Sequence, residues 1–200
     1  MKTLALASAA GAALLSLLSL SPKDSAVGAA DGNYTVDPVH SSVIFSTRHL
    51  GVSRFYGRFD EVEGQIELNE QDLAQSRVSI QIPAESIDTN SPNRDGHLKS
   101  PDFFSAKEFP LISFESEEIR GEMDAFEVQG KLTMHGVTRP VTAKASFVGS
   151  GDTMFEDFRS GFEARFTVRP SAFGFAFMRK NPELLGPEVE IIVSLECVRQ

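Results

Sequence analysis

From Tyr34 onward the chain alternates apolar and polar residues with a period of two, in runs too long and too regular for amphipathic helix. In 126–134, Phe126, Val128, Gly130, Leu132 and Met134 share one face, while Glu127, Gln129, Lys131 and Thr133 share the other. After a joint at 135–140, Val141, Ala143, Ala145 and Phe147 alternate with Thr142, Lys144 and Ser146. Phe158, Ser160, Phe162, Ala164, Phe166 and Val168 then face away from Arg159, Glu163, Arg165 and Arg169. The last run sets Val189, Ile191, Val193, Leu195 and Cys197 against Glu188, Glu190, Ser194 and Glu196. Each run reads as an antiparallel strand with one dry and one wet face.

Less regular runs of the same kind cover roughly 42–50, 54–68, 76–83 and 111–119, for a total of about eight strands. Within 54–68 the apolar parity flips from Phe55 and Phe59 to Val62, Ile66 and Leu68, which predicts a bulge or corner near Asp60-Glu61. One stretch, 89–110, breaks the pattern. Its Ser100-Pro101-Asp102 reads as an N-cap, a first-turn proline and a first-turn acid, which predicts a short helical segment near residues 100–107 carrying Phe103 and Phe104. Such strands form a sandwich or a closed barrel; the long runs of the second half favour a tall barrel, about 25 Å high at ordinary strand rise and tilt.

The chemistry-bearing residues are sparse. The histidines are His40, His49, His97 and His135, no two at a metal-ligand spacing, and nucleophile elbows and phosphate loops are absent from the sequence. His135, followed by Gly136 between two strands, reads as the mark of a bend. Neither a metal nor a cofactor is expected, and the chain is not expected to be an enzyme. Cys197 has no partner cysteine and reads as a small buried hydrophobe. With a net charge of −9 and no basic block, nucleic acid is an unfavourable partner.

The N-terminus reads as an export signal: Lys2, an apolar run from Leu4 to Leu20, then Gly28-Ala29-Ala30. Residues 1–30 are expected to be removed, and 31–200 to act in the periplasm or outside the cell without stable membrane insertion. Lys2, Lys23 and Asp24 are the charges lost with them, so the remainder is one unit more acidic.

The joint "GKLTMHGVTRPVTAKASFVG" closely resembles the hairpin signature of the YceI-like family. "YTVDPVHSSVIFSTRHLGVSRFYGRFDEVEGQIEL" resembles that family's opening, and "NRDGHLKSPDFFSAKEFPLISFES" its middle element, in the right order. The resemblance implies an all-β fold: an eight-stranded antiparallel, lipocalin-like barrel whose apolar channel takes polyisoprenoids, isoprenoid quinones or fatty-acid derivatives. Carried onto this sequence, the implied lining is Phe45, Phe59, Phe103, Phe104, Phe114, Leu132, Met134, Phe162 and Phe166. Arg48, Arg94, Lys99 and Arg179 are the cations available to an anionic headgroup. The pattern departs at Pro170-Ser171-Ala172, where the family often has Arg-Ser-Asp before Phe-Gly. Two other readings stay open at this point: a metal- or histidine-dependent hydrolase at one barrel end, and a filled barrel that binds a protein partner. The sequence also leaves homodimerisation open.

Overall fold

The computed structural model describes residues 30–181 and 183–200; the expected signal segment thus lies outside the described residues apart from Ala30. Eleven strands form one antiparallel sheet that closes on itself. They are β1 (Gly32–Val36), β2 (Ser42–His49), β3 (Ser53–Phe59), β4 (Glu63–Leu68), β5 (Arg77–Pro83), β6 (Ile87–Asp88), β7 (Leu111–Glu122), β8 (Ala125–Met134), β9 (Val137–Asp152), β10 (Phe158–Val168) and β11 (Leu185–Arg199). The order β1-β4-β5-β7-β8-β9-β10-β11 returns to β1, an eight-strand ring. Closure removes the exposed edges that a sandwich would leave.

Three chain paths bend at a corner, and this accounts for the excess of strands over eight. β1 and β2, β3 and β4, and β5 and β6 are each consecutive, with a short break between them. The break at 60–62 falls at the parity flip of Asp60-Glu61, so the corner expected there is present. β11 holds the first path twice: its C-terminal end pairs with β1 through Val36↔Cys197, and its longer part pairs with β2 through Ile191↔Phe45.

At this crossing the chain is clamped electrostatically. Arg159 of β10 places Nη1 2.6 Å from Asp37 Oδ2 and 2.6 Å from Glu196 Oε1, and Nη2 3.0 Å from Asp157 Oδ2. His40 Nδ1 lies 2.8 Å from Asp37 Oδ2. Asp37 is held down at about 2 from 3.8, first by His40 and further by the Val39 N–H and Arg159, against the opposing effect of burial. Because the folded value is depressed, this stabilisation is complete above the unfolded value of 3.8 and is lost as pH falls through about 2. Urea midpoints measured from pH 5 down to pH 2 are expected to fall steeply for the native protein and less steeply for Asp37→Asn. Equal slopes would contradict the clamp.

The barrel interior is filled at this end. Tyr34, Val36, Ile66, Ile119, Val128, Phe162, Leu195 and Cys197 are buried there, and Tyr34 Oη accepts from Ser160 Oγ at 3.3 Å. Cys197 is fully buried, as its position on the last dry face predicts. Burial, helped by the nearby carboxylates of Glu196 and Asp37, pushes its thiol up to about 12. Iodoacetamide is therefore expected to label it only in denaturant, and labelling of the native protein at neutral pH would contradict the packing.

At the opposite end helices and turns replace strand. α1 runs Pro92–Leu98, a 3-10 turn covers Pro170–Phe173, and α2 runs Ala176–Lys180. This corrects the expected position of the helical segment, since residues 101–104 are turns. Ser91-Pro92 carries the same start signal as Ser100-Pro101, and there the helix forms, tied down by Asp95 Oδ1, which accepts from the Thr89 N–H at 2.9 Å. After Pro101 the N–H groups turn back onto α1 instead: Phe104 donates to Leu98 O and Ala106 to Lys99 O, while Ser105 takes φ +46°. That path sends Phe103 against Phe177, at 4.9 Å between ring centroids, and Phe104 against Phe59, at 5.7 Å.

Candidate functional site: an apolar cavity at one barrel end

Under these helices and turns lies a cavity of about 300 Å³. Its wall comes from the dry faces of the strands: Val43, Phe45 and Thr47 of β2, Phe59 of β3, Ile112 of β7, Leu132 and Met134 of β8, Phe166 and Val168 of β10, and Val189 and Ile191 of β11. Its roof is Leu98 of α1, Phe103 and Phe104, Pro170, Phe175 and Met178. Period-two alternation makes this wall, because residues i, i+2 and i+4 of each strand point inward.

Seven of the nine residues expected to line a channel do line this one: Phe45, Phe59, Phe103, Phe104, Leu132, Met134 and Phe166. Phe114 and Phe162 do not. Phe162 packs against Phe147, at 5.9 Å between ring centroids, and Phe114 lies across Gly130. Both face inward, but at positions where the barrel is already full. The interior is thus open at one end and packed at the other. From Val43 at the floor to His49 at the rim is six residues of β2, a depth of roughly 15 Å at ordinary rise and tilt.

The roof supplied residues that strand parity does not reach. Phe175 and Met178 sit beyond the last residue of β10, in "PSAFGFAFMRK", where no period exists to read. The density of Phe in that stretch was the available signal. Aromatic contacts knit the roof together and tie it to the turn between β8 and β9: Phe104–Phe175 at 5.0 Å, His135–Phe175 at 5.5 Å and Phe109–His135 at 5.1 Å.

His135 does mark a bend. Met134 pairs with Val137, and His135 and Gly136 between them have φ of +52° and +69°, the left-handed pair that a tight hairpin turn requires. Its ring is also used, with Nδ1 3.0 Å from the carbonyl of Phe173. Ala172, where the family pattern often has an acid, accepts from Arg139 Nε at 3.2 Å through its backbone carbonyl.

Apart from Thr47 in the wall, the polar groups of the cavity gather at its rim: His49, Ser53, Arg54 and Arg94, with no carboxylate among the lining residues. Arg54 is paired to Glu190 at 2.8 Å. Arg94 donates to Thr89 Oγ1 at 2.8 Å and lies over the Phe55 ring, 4.5 Å from its centroid. Lys99 is 3.6 Å from Glu85, Arg48 is exposed beside the rim, and the Arg179 side chain lies outside those described.

The histidines do not share a site. His40 belongs to the clamp at the packed end, His49 to the rim, His97 to Asp102 at 3.1 Å, and His135 to Phe173. Asp37, His40 and Glu196 are close enough to hold a cation, their ligand atoms all lying within 4.8 Å. The guanidinium of Arg159 already fills that gap, 2.6 Å from each carboxylate.

Residues 34–197 match the family model described as the YceI-like domain, almost the whole of the barrel. The chain belongs to the YceI-like family. This YceI-like chain is 37% identical to a UPF0312 protein of Pseudomonas aeruginosa over 175 residues, covering 86% of the chain and 88% of that relative. It is 34% identical to a UPF0312 protein of Pectobacterium atrosepticum over 192 residues, 94% of the chain and 97% of the relative. Among solved structures, BcnA of Burkholderia cenocepacia superposes with a TM-score of 0.73 at 23% identity, covering 80% of this chain and 98% of BcnA. A polyisoprenoid binding domain of Saccharophagus degradans superposes with a TM-score of 0.64 at 14% identity, covering 84% and 98%. At these identities the two structures bear on fold alone, and they share the barrel.

Proposed function

We propose that the protein binds one long-chain apolar molecule, a polyisoprenoid, an isoprenoid quinone or a fatty-acid derivative, with its hydrocarbon chain in the cavity. The observation that carries this is the division of the barrel: an apolar pocket that opens at one end, free of carboxylates in its lining, above a packed floor. Taking a chain out of water contributes about 0.8 kcal/mol per methylene, and ordering of the chain offsets much of that. A depth of roughly 15 Å holds a segment of extended chain, and a longer one folds back or trails from the mouth. The polyisoprenoid binding by the Saccharophagus degradans domain of the same fold supports the choice of ligand class.

Binding without chemistry is favoured over hydrolysis by the separate locations of the four histidines. Export to the periplasm or beyond, with a start near Asp31, follows from the N-terminal pattern. In that compartment the protein serves as carrier, store or sensor.

The test is a titration of the detergent-free protein with polyprenols, quinones and fatty acids of graded length, each recovered afterwards and analysed. Saturable one-to-one uptake, with the ligand returned unchanged, is expected. Turnover of an ester analogue would favour the hydrolase reading, and no uptake of any class would favour a partner-binding barrel.

A further inference from the structure

The rim of the cavity continues into the hairpin joining β2 to β3, and its tip is built unlike a turn made only for folding. Val52 N donates to His49 O at 3.0 Å, and the residues between, Leu50 and Gly51, have φ of +53° and +70°. Asparagine or glycine takes this left-handed conformation cheaply, and leucine does not. Leu50 nonetheless stands there 52% exposed, and Val52 follows at 86% exposed. A strained backbone position carrying a bare aliphatic side chain points to a use outside the fold.

The acidic groups nearest this tip are already paired, Glu190 with Arg54 and Glu188 with Arg169. Residues 38–59 include Arg48, Arg54 and Arg58 and no acidic residue, in a chain whose net charge is −9. Arg48 has no carboxylate partner among the described residues, and neither does Arg94 at the rim, whereas Arg54 is held by Glu190. The loop against the tip, through Leu50 N to Leu184 O at 2.9 Å, carries Lys180 and Glu183, which offset one another. Across the barrel a second exposed apolar tip, Met154 at 88% and Phe155 at 69%, lies between Asp152 and Glu156-Asp157. Two bare apolar tips thus mark opposite ends, one basic beside the cavity mouth and one acidic beside the packed floor.

We propose that the tip Leu50–Val52, with the unpaired Arg48 beside it and Arg94 at the rim, seats the cavity mouth on the surface of an anionic phospholipid bilayer. This rests on the proposal that the cavity takes a lipid chain. Leu50 and Val52 enter the headgroup boundary and the arginines meet phosphate, while His49, Ser53 and Arg54 bring the rim to the surface from which a chain would pass. The acidic remainder of the protein does not prevent this, since charges beyond about 8 Å are largely screened at physiological salt. An approach by the acidic end is repelled at contact range, so the mouth is the end that binds. The contact is peripheral and reversible.

The experiment is flotation of the purified protein with phosphatidylcholine vesicles, with and without phosphatidylglycerol. The variants are L50N with V52T at this tip and M154S with F155S at the far one. Asparagine suits the left-handed turn, so the first variant is expected to melt no lower than the native protein. In parallel, each protein is titrated with a fluorescent polyene fatty acid added from ethanol. The native protein is expected to float with phosphatidylglycerol vesicles, less so as salt is raised. The L50N/V52T protein is expected to bind them at least about tenfold more weakly while taking up the fatty acid normally, and the far-tip variant to behave as native. Fatty-acid uptake without any preference for anionic vesicles, or equal losses from both tips, would overturn the docking surface and leave the cavity reading intact. Flotation that depends on the tip, without uptake of the fatty acid, would leave the docking surface standing and count against the cavity reading.

Discussion

Phe59→Asp is expected to weaken retention of a long-chain ligand at least about a hundredfold and to lower stability by about 3 kcal/mol. Phe59 is 7% exposed, and its ring lies 5.8 Å from Phe45 of the wall and 5.7 Å from Phe104 of the roof. A carboxylate there would have no cation among the lining residues nearer than the rim, so it is left uncompensated whether the cavity is empty or loaded. Phe104→Asp separates the two effects, because Phe104 is a half-buried roof residue on a turn and carries less of the fold. It is expected to lose ligand nearly as completely while costing less stability. Binding isotherms and urea melts of both variants check this, and a Phe104→Asp protein that binds normally would remove the roof from the site.

Gly130→Val is expected to cost about 3 kcal/mol or to prevent folding, although it adds only apolar atoms. A side chain at 130 would meet the backbone carbonyl of Glu115 inside contact distance, and the ring of Phe114 lies 2.6 Å from where its Cβ would be. Phe114 can swing aside, but the carbonyl belongs to the ladder of β7 with β8 and cannot. The position is therefore kept small by its neighbour strand and not by its own turn geometry. Urea unfolding followed by circular dichroism measures the loss, and a variant as stable as the native protein would mean that β7 and β8 are less closely joined than described.

These two positions show what was readable in the sequence and what was not. The strands were legible because a half-buried strand must alternate, and the runs around 126–134, 158–168 and 189–197 lie inside β8, β10 and β11. Even the corner at 60–62 announced itself, since a break in pairing resets which face is dry. β1 and β6 were missed because five and two residues give too little alternation to read. The helix was misplaced because Ser91-Pro92 and Ser100-Pro101 are locally equivalent starts, and the choice between them was made by where Phe103 and Phe104 had to go.

The cavity was half legible for a related reason. Parity tells which side chains point inward but not at what height the interior is already full. Phe45 and Phe166 therefore reach open space, while Phe114 and Phe162, equally inward, fill the solid part. The roof at 170–178 follows no period, and the resemblance to the family drew attention to its altered Pro170-Ser171-Ala172 without giving its packing.

The most direct test of the proposed cargo is mass spectrometry of the organic extract of protein purified from its host without detergent. A long-chain lipid in near-stoichiometric amount, absent from the extract of the Phe104→Asp protein, is the expected result and would name the chemical class. A clean extract, together with no uptake of polyprenols, quinones or fatty acids on titration, would contradict a lipid-binding cavity.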